Sequence, residues 1–213
     1  MKIVPAILAD TLENCQRMLR QAESFTDYVQ IDVMDGVFVP SKSFSPDQIN
    51  LIITPLSFEL HLMVKDPSAF MKKINHPRLK QVIFHFESHV SHLEFMREMK
   101  ERGIETGLAI NPGTSLVEFK AMAEHAENLL FLTVDPGYYG SPFREDVLEK
   151  IEETRRVFPN KFLEVDGGVS LDNLNRFVDL GVDAVCVGSR IFLKGSPEEN
   201  YRRFVTKAKG LKS

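Results

Sequence analysis

The 213 residues are 43% hydrophobic and 26% charged, which is typical of a soluble globular protein and excludes a disordered or fibrous chain. A net charge of −4 and a pI near 5.9 give no general attraction to nucleic acid or to an anionic membrane, so we expect neither as a partner. No apolar run approaches the roughly 20 residues of a transmembrane helix, and two cysteines without metal-motif spacing indicate a reduced, cytoplasmic location.

Eight short apolar segments, rich in β-branched residues, predict eight strands along the chain. The first is "KIVPAIL", where Pro5 and Asp10 cut the apolar stretch too short for a signal peptide. Turn residues and then a segment of helical periodicity follow most of these strands. The predicted strands are 2–8, 27–33, 58–64, 81–86, 105–110, 129–134, 162–166 and 184–188.

Helical patterns separate these strands, and several of them begin with a Ser, Asp or Thr cap or end at a glycine. Strands that alternate with helices indicate parallel βαβ units, and eight units fit a compact (β/α)₈ TIM barrel in a single domain, residues 1–213. A doubly wound open sheet is the alternative, but no "GxGxxG" or "GxxxxGKS/T" motif follows any strand. The predicted helical segments are 11–24, 45–53, 67–74, 92–103, 116–126, 143–157 and 171–181.

Three polar residues fall where a barrel would bring them to one mouth. Asp32 lies in the second predicted strand, His61 in the third, and Asp166 ends the seventh. Gln30 shares a face with Asp32, because side chains two apart in a strand point the same way. Buried carboxylates need a partner or a metal, so two carboxylates and an imidazole form a plausible divalent-metal set.

Other polar residues at strand ends have simpler interpretations. Asp35 and Asp135 fit turn formers or helix caps, and His85 fits a hydrogen-bonded core histidine. Glycines after the seventh and eighth strands favour phosphate binding through backbone N–H groups, although they could simply form turns. These positions are Gly167, Gly168, Gly188 and Ser189, and "PGYYG" with Gly140 after strand six could add a third loop.

Six motifs in order along nearly the whole chain resemble the ribulose-phosphate 3-epimerase family. They are "IDVMDGVFVP", "HLMV", "NPGT", "TVDPG", "VDGGV" and "VGSRIF". The resemblance implies a phosphate-binding (β/α)₈ barrel that interconverts ribulose 5-phosphate and xylulose 5-phosphate, with a divalent metal (Zn, Fe, Mn or Co) in the site. It also implies a homo-oligomer, because relatives commonly form dimers or larger rings.

The resemblance assigns roles to individual residues. Asp32 and Asp166 correspond to the two acid/base groups on opposite faces of an enediolate, whose charge the metal stabilises as a Lewis acid. Asp32, His61 and Asp166 correspond to metal ligands, and Gln30 stands where the family has a further histidine ligand. An amide binds zinc-like ions more weakly than an imidazole. Met34 and Met63 correspond to methionines that line the site and exclude water.

Departures from the family pattern cluster at the expected site. Ala6 replaces a substrate-facing serine, Leu132 stands at a methionine position, and Ser41 replaces an asparagine. In the strand-six loop Tyr139 replaces a glycine and Ser141 a glutamine. Such clustering suggests an altered substrate, an altered metal or lost activity.

Three functions are therefore open from the sequence. The first is a 3-epimerase of ribulose 5-phosphate or of a related ketose phosphate such as allulose 6-phosphate. The second is a non-catalytic sugar-phosphate-binding barrel. The third, an aldolase or decarboxylase, would need a Schiff-base lysine or other acids, and the nearest lysine, Lys65, lies beyond strand three.

Overall fold

Eight parallel strands close into a barrel in chain order in the computed structural model, which describes residues 1–137 and 141–211. Each strand pairs with the next, and β1 pairs with β8 to close the ring. The prediction of a TIM barrel is confirmed, and the open sheet is excluded. The strands are β1 Lys2–Ile7, β2 Tyr28–Met34, β3 Ser57–Met63, β4 Leu79–His85, β5 Glu105–Ile110, β6 Asn128–Leu132, β7 Phe162–Asp166 and β8 Ala184–Val187.

Successive side chains of each strand point alternately outward and inward, so the barrel has an outer core beneath the helices and an inner core. In β2, Val29, Ile31 and Val33 belong to the large apolar layer between the barrel and its helices. Their neighbours Gln30 and Asp32 are also buried but point into the barrel. The inner core is small and largely aliphatic, so polar side chains complete the interior. This explains why a strand buried on both faces carries an amide and a carboxylate.

Helices cover the outside of the barrel, and each of the seven predicted helical segments contains one. No helix in the described ranges is long and apolar enough to cross a membrane. Two helices that we did not predict follow β8, the second of them with a Ser196 cap and Pro197 in its first turn. The helices are α1 Leu12–Ala22, α2 Pro46–Asn50, α3 Pro67–Met71, α4 His92–Glu101, α5 Leu116–Ala123, α6 Val147–Val157, α7 Leu174–Asp179, α8 Ser189–Phe192 and α9 Pro197–Gly210.

The loop after β5 is held by charged side chains from neighbouring elements. Lys150 of α6 donates to the carbonyl oxygens of Asn111, Pro112 and Thr114 at 2.7–2.8 Å. Glu87, just beyond β4, accepts from the Asn111 backbone N–H at 3.1 Å and from the Thr114 hydroxyl. The loop that contains the "NPGT" motif is therefore held to α6 and to the end of β4 by these hydrogen bonds.

Gly167 directly follows β7 and has a positive φ angle, a backbone conformation that residues other than glycine rarely adopt. Its φ is +100°, and a Cβ atom placed there would lie 2.4 Å from Val134 Cγ2. Both the torsion and the close approach require glycine. The turn that follows Asp166 therefore depends on this residue.

We expect Gly167→Ala to lower the free energy of unfolding by about 2–5 kcal/mol. Alanine is strained at a positive φ, and its Cβ would also overlap Val134, so the two costs add. Gly103→Ala is the matched control, because Gly103 has φ +71° and no atom within 4 Å of the added Cβ. The control should lose only about 1–2 kcal/mol. Urea unfolding measures both, and equal losses would contradict the close packing at Gly167.

Candidate active site

The structure brings together the three residues that the sequence placed at one mouth. Asp32 of β2, His61 of β3 and Asp166 at the end of β7 offer ligand atoms that all lie within 4.8 Å of one another. Asp32 and His61 are buried, and Asp166 is partly exposed to the cavity. Two carboxylates this close repel each other unless a proton or a cation lies between them.

His61 supplies part of that compensation. Its Nδ1 lies 3.0 Å from Asp32 Oδ1 and 3.4 Å from Asp166 Oδ2. Burial alone would lower the pKa of His61, but hydrogen bonding to Asp166 and Asp32 outweighs it and raises the pKa to about 10. Burial also raises the pKa of Asp32, against the hydrogen bond from His61. With no metal bound, the geometry thus favours an imidazolium between the carboxylates.

Gln30 bridges the same two carboxylates from below. Its Nε2 donates to Asp32 Oδ1 at 3.0 Å and to Asp166 Oδ2 at 3.1 Å. Its Oε1 faces the other way and accepts from the Cys186 thiol at 3.1 Å. The amide nitrogen, not the amide oxygen, therefore faces the carboxylates, and in this orientation Gln30 offers no ligand atom to a metal.

His85 belongs to this cluster, although the sequence favoured a core histidine. It is fully buried, and its Nε2 lies 2.9 Å from His61 Nε2. Burial lowers the pKa of His85 to about 4, so it stays neutral and can accept the Nε2 proton of His61. Its Nδ1 then faces Glu87 Oε2 at 3.4 Å. The core interpretation was incomplete, because His85 also orients a site residue.

These contacts test whether a divalent metal suits the residues present. Asp32, His61 and Asp166 provide three oxygen and nitrogen donors around one point, which leaves positions open for substrate oxygens. The His61 Nε2–H would donate to His85, and this kind of outer hydrogen bond commonly orients a metal-ligating histidine. The set therefore fits a divalent metal with three protein ligands, without Gln30.

A cavity of about 320 Å³ opens above the cluster. Substrate-pocket and phosphate-loop residues predicted from the sequence meet there, whereas Tyr139 and Gly140 lie outside the described residues. The predicted residues that line it are Ala6, Met34, Met63, Leu132, Ser141, Gly167, Gly168, Gly188 and Ser189.

Arg190 also lines this cavity, and our sequence reasoning did not single it out. The side chain is exposed, and no acidic group in the described part of the chain forms an ion pair with it. Its position directly after Ser189, in "VGSRIF", was the available signal. The mouth therefore carries a cation beside the glycine loops of β7 and β8.

The two remaining strand-end aspartates have structural roles. Asp35 Oδ1 accepts from the backbone N–H groups of Val37 and Phe38 at 2.8 Å, and its Oδ2 accepts from the backbone N–H of Lys65 at 2.7 Å. Asp35 is thus a turn former, as predicted. Asp135 is exposed and pairs with Arg144 at 3.0 Å, so it holds its loop through an ion pair and not as a helix cap.

This fold and site define a (β/α)₈ barrel protein with paired acids and a polar pocket at the carboxyl ends of its strands. The model of the "Ribulose-phosphate 3 epimerase family" matches residues 2–192, and the chain belongs to that family. Ribulose-phosphate 3-epimerase of Schizosaccharomyces pombe is 30% identical over 93% of this chain and 90% of its own length. The cytoplasmic isoform of ribulose-phosphate 3-epimerase from Oryza sativa is also 30% identical, with the same coverage.

Solved structures agree on the fold at lower identity. A 3-hexulose-6-phosphate synthase from Salmonella typhimurium superposes with a TM-score of 0.72 at 18% identity, covering 99% of this chain and 100% of its own. An orotidine 5'-monophosphate decarboxylase from Sulfolobus solfataricus gives 0.69 at 13%, covering 100% and 99%. At these identities the likeness concerns the barrel alone.

We expect Gln30→His to tighten Zn²⁺ binding at least about tenfold, the scale on which single residues around a metal site act. An imidazole nitrogen in place of the Gln30 amide would add a ligand beside Asp32 and Asp166. Gln30→Leu is the control, because it removes the amide without adding a ligand. Competition with a chromophoric chelator measures the affinity, and no gain in Gln30→His would contradict a metal at these three donors.

Proposed function

We propose that this protein is a sugar-phosphate 3-epimerase that interconverts ribulose 5-phosphate and xylulose 5-phosphate by two-base proton transfer. Membership of the ribulose-phosphate 3-epimerase family supports an isomerase that acts on carbohydrate phosphates. The single observation that carries the mechanism is the pair of carboxylates, Asp32 and Asp166, that share one cavity from strands β2 and β7.

Epimerisation at a carbon next to a ketone requires one proton to leave from one face and another to arrive from the other. Asp32 and Asp166 take these two roles. In each direction one carboxylate removes the C3 proton, and the carboxylic acid opposite donates a proton to the planar enediolate. The raised pKa of Asp32, caused by burial, suits a group that must hold a proton between turnovers.

The residues around this pair control its charge. Without a metal, His61 and Gln30 donate to both carboxylates, which keeps them aligned and limits their repulsion, and with a metal the Gln30 donor remains. A divalent metal bound by Asp32, His61 and Asp166 would supply Lewis-acid stabilisation of the enediolate oxygens. Met34 and Met63 line the cavity with apolar surface and exclude water from the reacting carbon.

The phosphate of the substrate would lie at the other side of the cavity. Gly167, Gly168 and Gly188 line this side, and their missing Cβ atoms let the loops after β7 and β8 pack closely against neighbouring residues, so that backbone lines the cavity. Ser189 adds a hydroxyl and Arg190 adds a positive charge. An arginine that has no acidic partner among the described residues suits a phosphate dianion beside backbone N–H groups.

We propose ribulose 5-phosphate as the substrate, with allulose 6-phosphate as the alternative. Ribulose 5-phosphate is supported by the named relatives, and allulose 6-phosphate is the alternative that the altered residues Ala6, Leu132 and Ser141 motivate. We further propose that the chain forms a homo-oligomer, which the family resemblance supports. We also propose a cytoplasmic location, which the two free, buried cysteines support. Sedimentation analysis of the purified chain measures its assembly.

We expect Asp32→Asn and Asp166→Asn each to lower epimerisation by roughly 100-fold to 10,000-fold, the usual contribution of a general acid or base. Each variant should still exchange the C3 hydrogen of one epimer with deuterated solvent, because one base remains, and the two variants should favour opposite epimers. Proton NMR of ribulose 5-phosphate, xylulose 5-phosphate and allulose 6-phosphate in deuterium oxide measures both.

Asp47→Asn is the control, because Asp47 lies exposed on α2, and it should leave the rates unchanged. Wild-type protein that exchanges none of these substrates would contradict the epimerase. If thermal stabilisation by the same compounds persisted without exchange, the chain would be a non-catalytic sugar-phosphate-binding barrel.

We expect Arg190→Ala to raise KM for the ketose phosphate roughly tenfold, the low end for a charge-assisted hydrogen bond, because the side chain is exposed. The kcat should change little, since phosphate binding is uniform between ground and transition states. Arg203→Ala is the matched control, because Arg203 lies in the neighbouring cleft outside the cavity. Equal KM values for both variants would remove Arg190 from the phosphate site.

A further inference from the structure

A second cluster of ligand-type side chains lies inside the barrel, one layer below the active site. Glu59 comes two residues before His61, Glu164 comes two before Asp166, and Cys186 pairs in register with Asp166. Their ligand atoms all lie within 4.8 Å of one another, and all three residues are at least 98% buried. The proposed epimerase mechanism uses none of them.

The hydrogen bonds of this cluster leave one carboxylate oxygen without a partner. Glu59 Oε2 accepts from the Tyr28 hydroxyl at 2.9 Å, and Glu164 Oε2 accepts from Asn128 Nδ2 at 2.9 Å. The Cys186 thiol lies 3.2 Å from Glu164 Oε1. Glu59 Oε1 is buried and receives no hydrogen bond from the described residues. Buried polar atoms of this kind usually mark a missing water or ion.

The charge of the cluster is also unbalanced. No lysine or arginine in the described part of the chain forms an ion pair with Glu59 or Glu164, although both lie in the barrel interior. Two buried carboxylates at this separation need a cation or protons, because each carries a large desolvation cost. A thiol beside them adds a ligand that prefers soft and borderline ions.

A path to the cluster exists from the amino-terminal end of the barrel. A depression of about 870 Å³ there is lined by Glu59, Glu164, Tyr28 and Asn128 among others. This depression lies at the end of the barrel opposite the active-site cavity, and Cys186 lines the active-site cavity from below. An ion could therefore reach the two glutamates without passing through the substrate site.

We infer that Glu59, Glu164 and Cys186 bind a second divalent cation of borderline-soft character, such as Zn²⁺ or Co²⁺, in the barrel interior. The cation would take the unpartnered Glu59 oxygen as a ligand and balance both carboxylates. Binding would release the Cys186 thiol proton to solvent, because a thiolate is the metal ligand. This site is independent of the epimerase proposal and of the three donors above it.

Protons are the competing occupants of the cluster. Without a cation, burial raises the pKa of Glu164 to about 7 and raises that of Glu59 well above its usual range, with mutual repulsion adding to both. A cluster that only holds protons would bind no metal.

Co²⁺ titration of the metal-free, full-length chain tests the inference, because a thiolate bound to Co²⁺ gives a charge-transfer absorption in the near ultraviolet. The upper cluster contains no sulfur, and the only other cysteine is Cys15, buried on α1. Wild type should show the thiolate absorption, and elemental analysis with Zn²⁺ should find a metal ion that Asp166→Asn does not remove.

Cys186→Val should abolish the absorption, whereas the matched variant Cys15→Val should keep it. Glu59→Gln retains the thiol and nearly the same size, and it should weaken Co²⁺ binding at least about tenfold. Circular dichroism confirms that each variant is folded. Wild type without the absorption, or absorption that persists in Cys186→Val, would overturn the second cation site and leave a protonated cluster.

Discussion

The repulsion between Asp32 and Asp166 is the constraint on which the site depends. Barrel closure brings β2 and β7 to one mouth, and burial of Asp32 removes the water that would screen the two carboxylates. The side-chain nitrogens His61 Nδ1 and Gln30 Nε2 lie 3.0–3.4 Å from oxygens of both carboxylates, and their N–H groups offset this repulsion. Two carboxylates can therefore be held close together at the mouth of the barrel without water between them to screen their charges.

A series of side-chain contacts leads from His61 across the barrel mouth to the loop after β5. His61 meets His85 at 2.9 Å, His85 meets Glu87 at 3.4 Å, and Glu87 holds the loop at Asn111 and Thr114. Each contact limits the rotation of the next ring or carboxylate. The loop after β5 thus lies beside the two imidazoles through Glu87, which faces His85 at 3.4 Å and accepts hydrogen bonds from the loop.

Strand periodicity and strand-end chemistry were enough to predict the barrel and the meeting of Asp32, His61 and Asp166. They could not predict that His85 contacts His61, because an inward histidine looks the same whether its partner is a backbone carbonyl or another ring. The orientation of the Gln30 amide depends in part on Cys186, 156 residues later in the chain. Arg190 was missed because α8, Ser189–Phe192, is too short for periodicity to show which of its residues face a cavity.

Gln30 also connects the two layers of polar side chains. Its amide donates upward to the carboxylates and accepts downward from the protonated Cys186 thiol. A metal-bound thiolate in the lower cluster would remove that one donor, but the two N–H bonds to Asp32 and Asp166 would still hold the amide, because its oxygen and the carboxylate oxygens are all acceptors. An amide at position 30 therefore supports the paired acids as a hydrogen-bond donor whatever occupies the lower cluster, which a histidine acting as a metal ligand could not do.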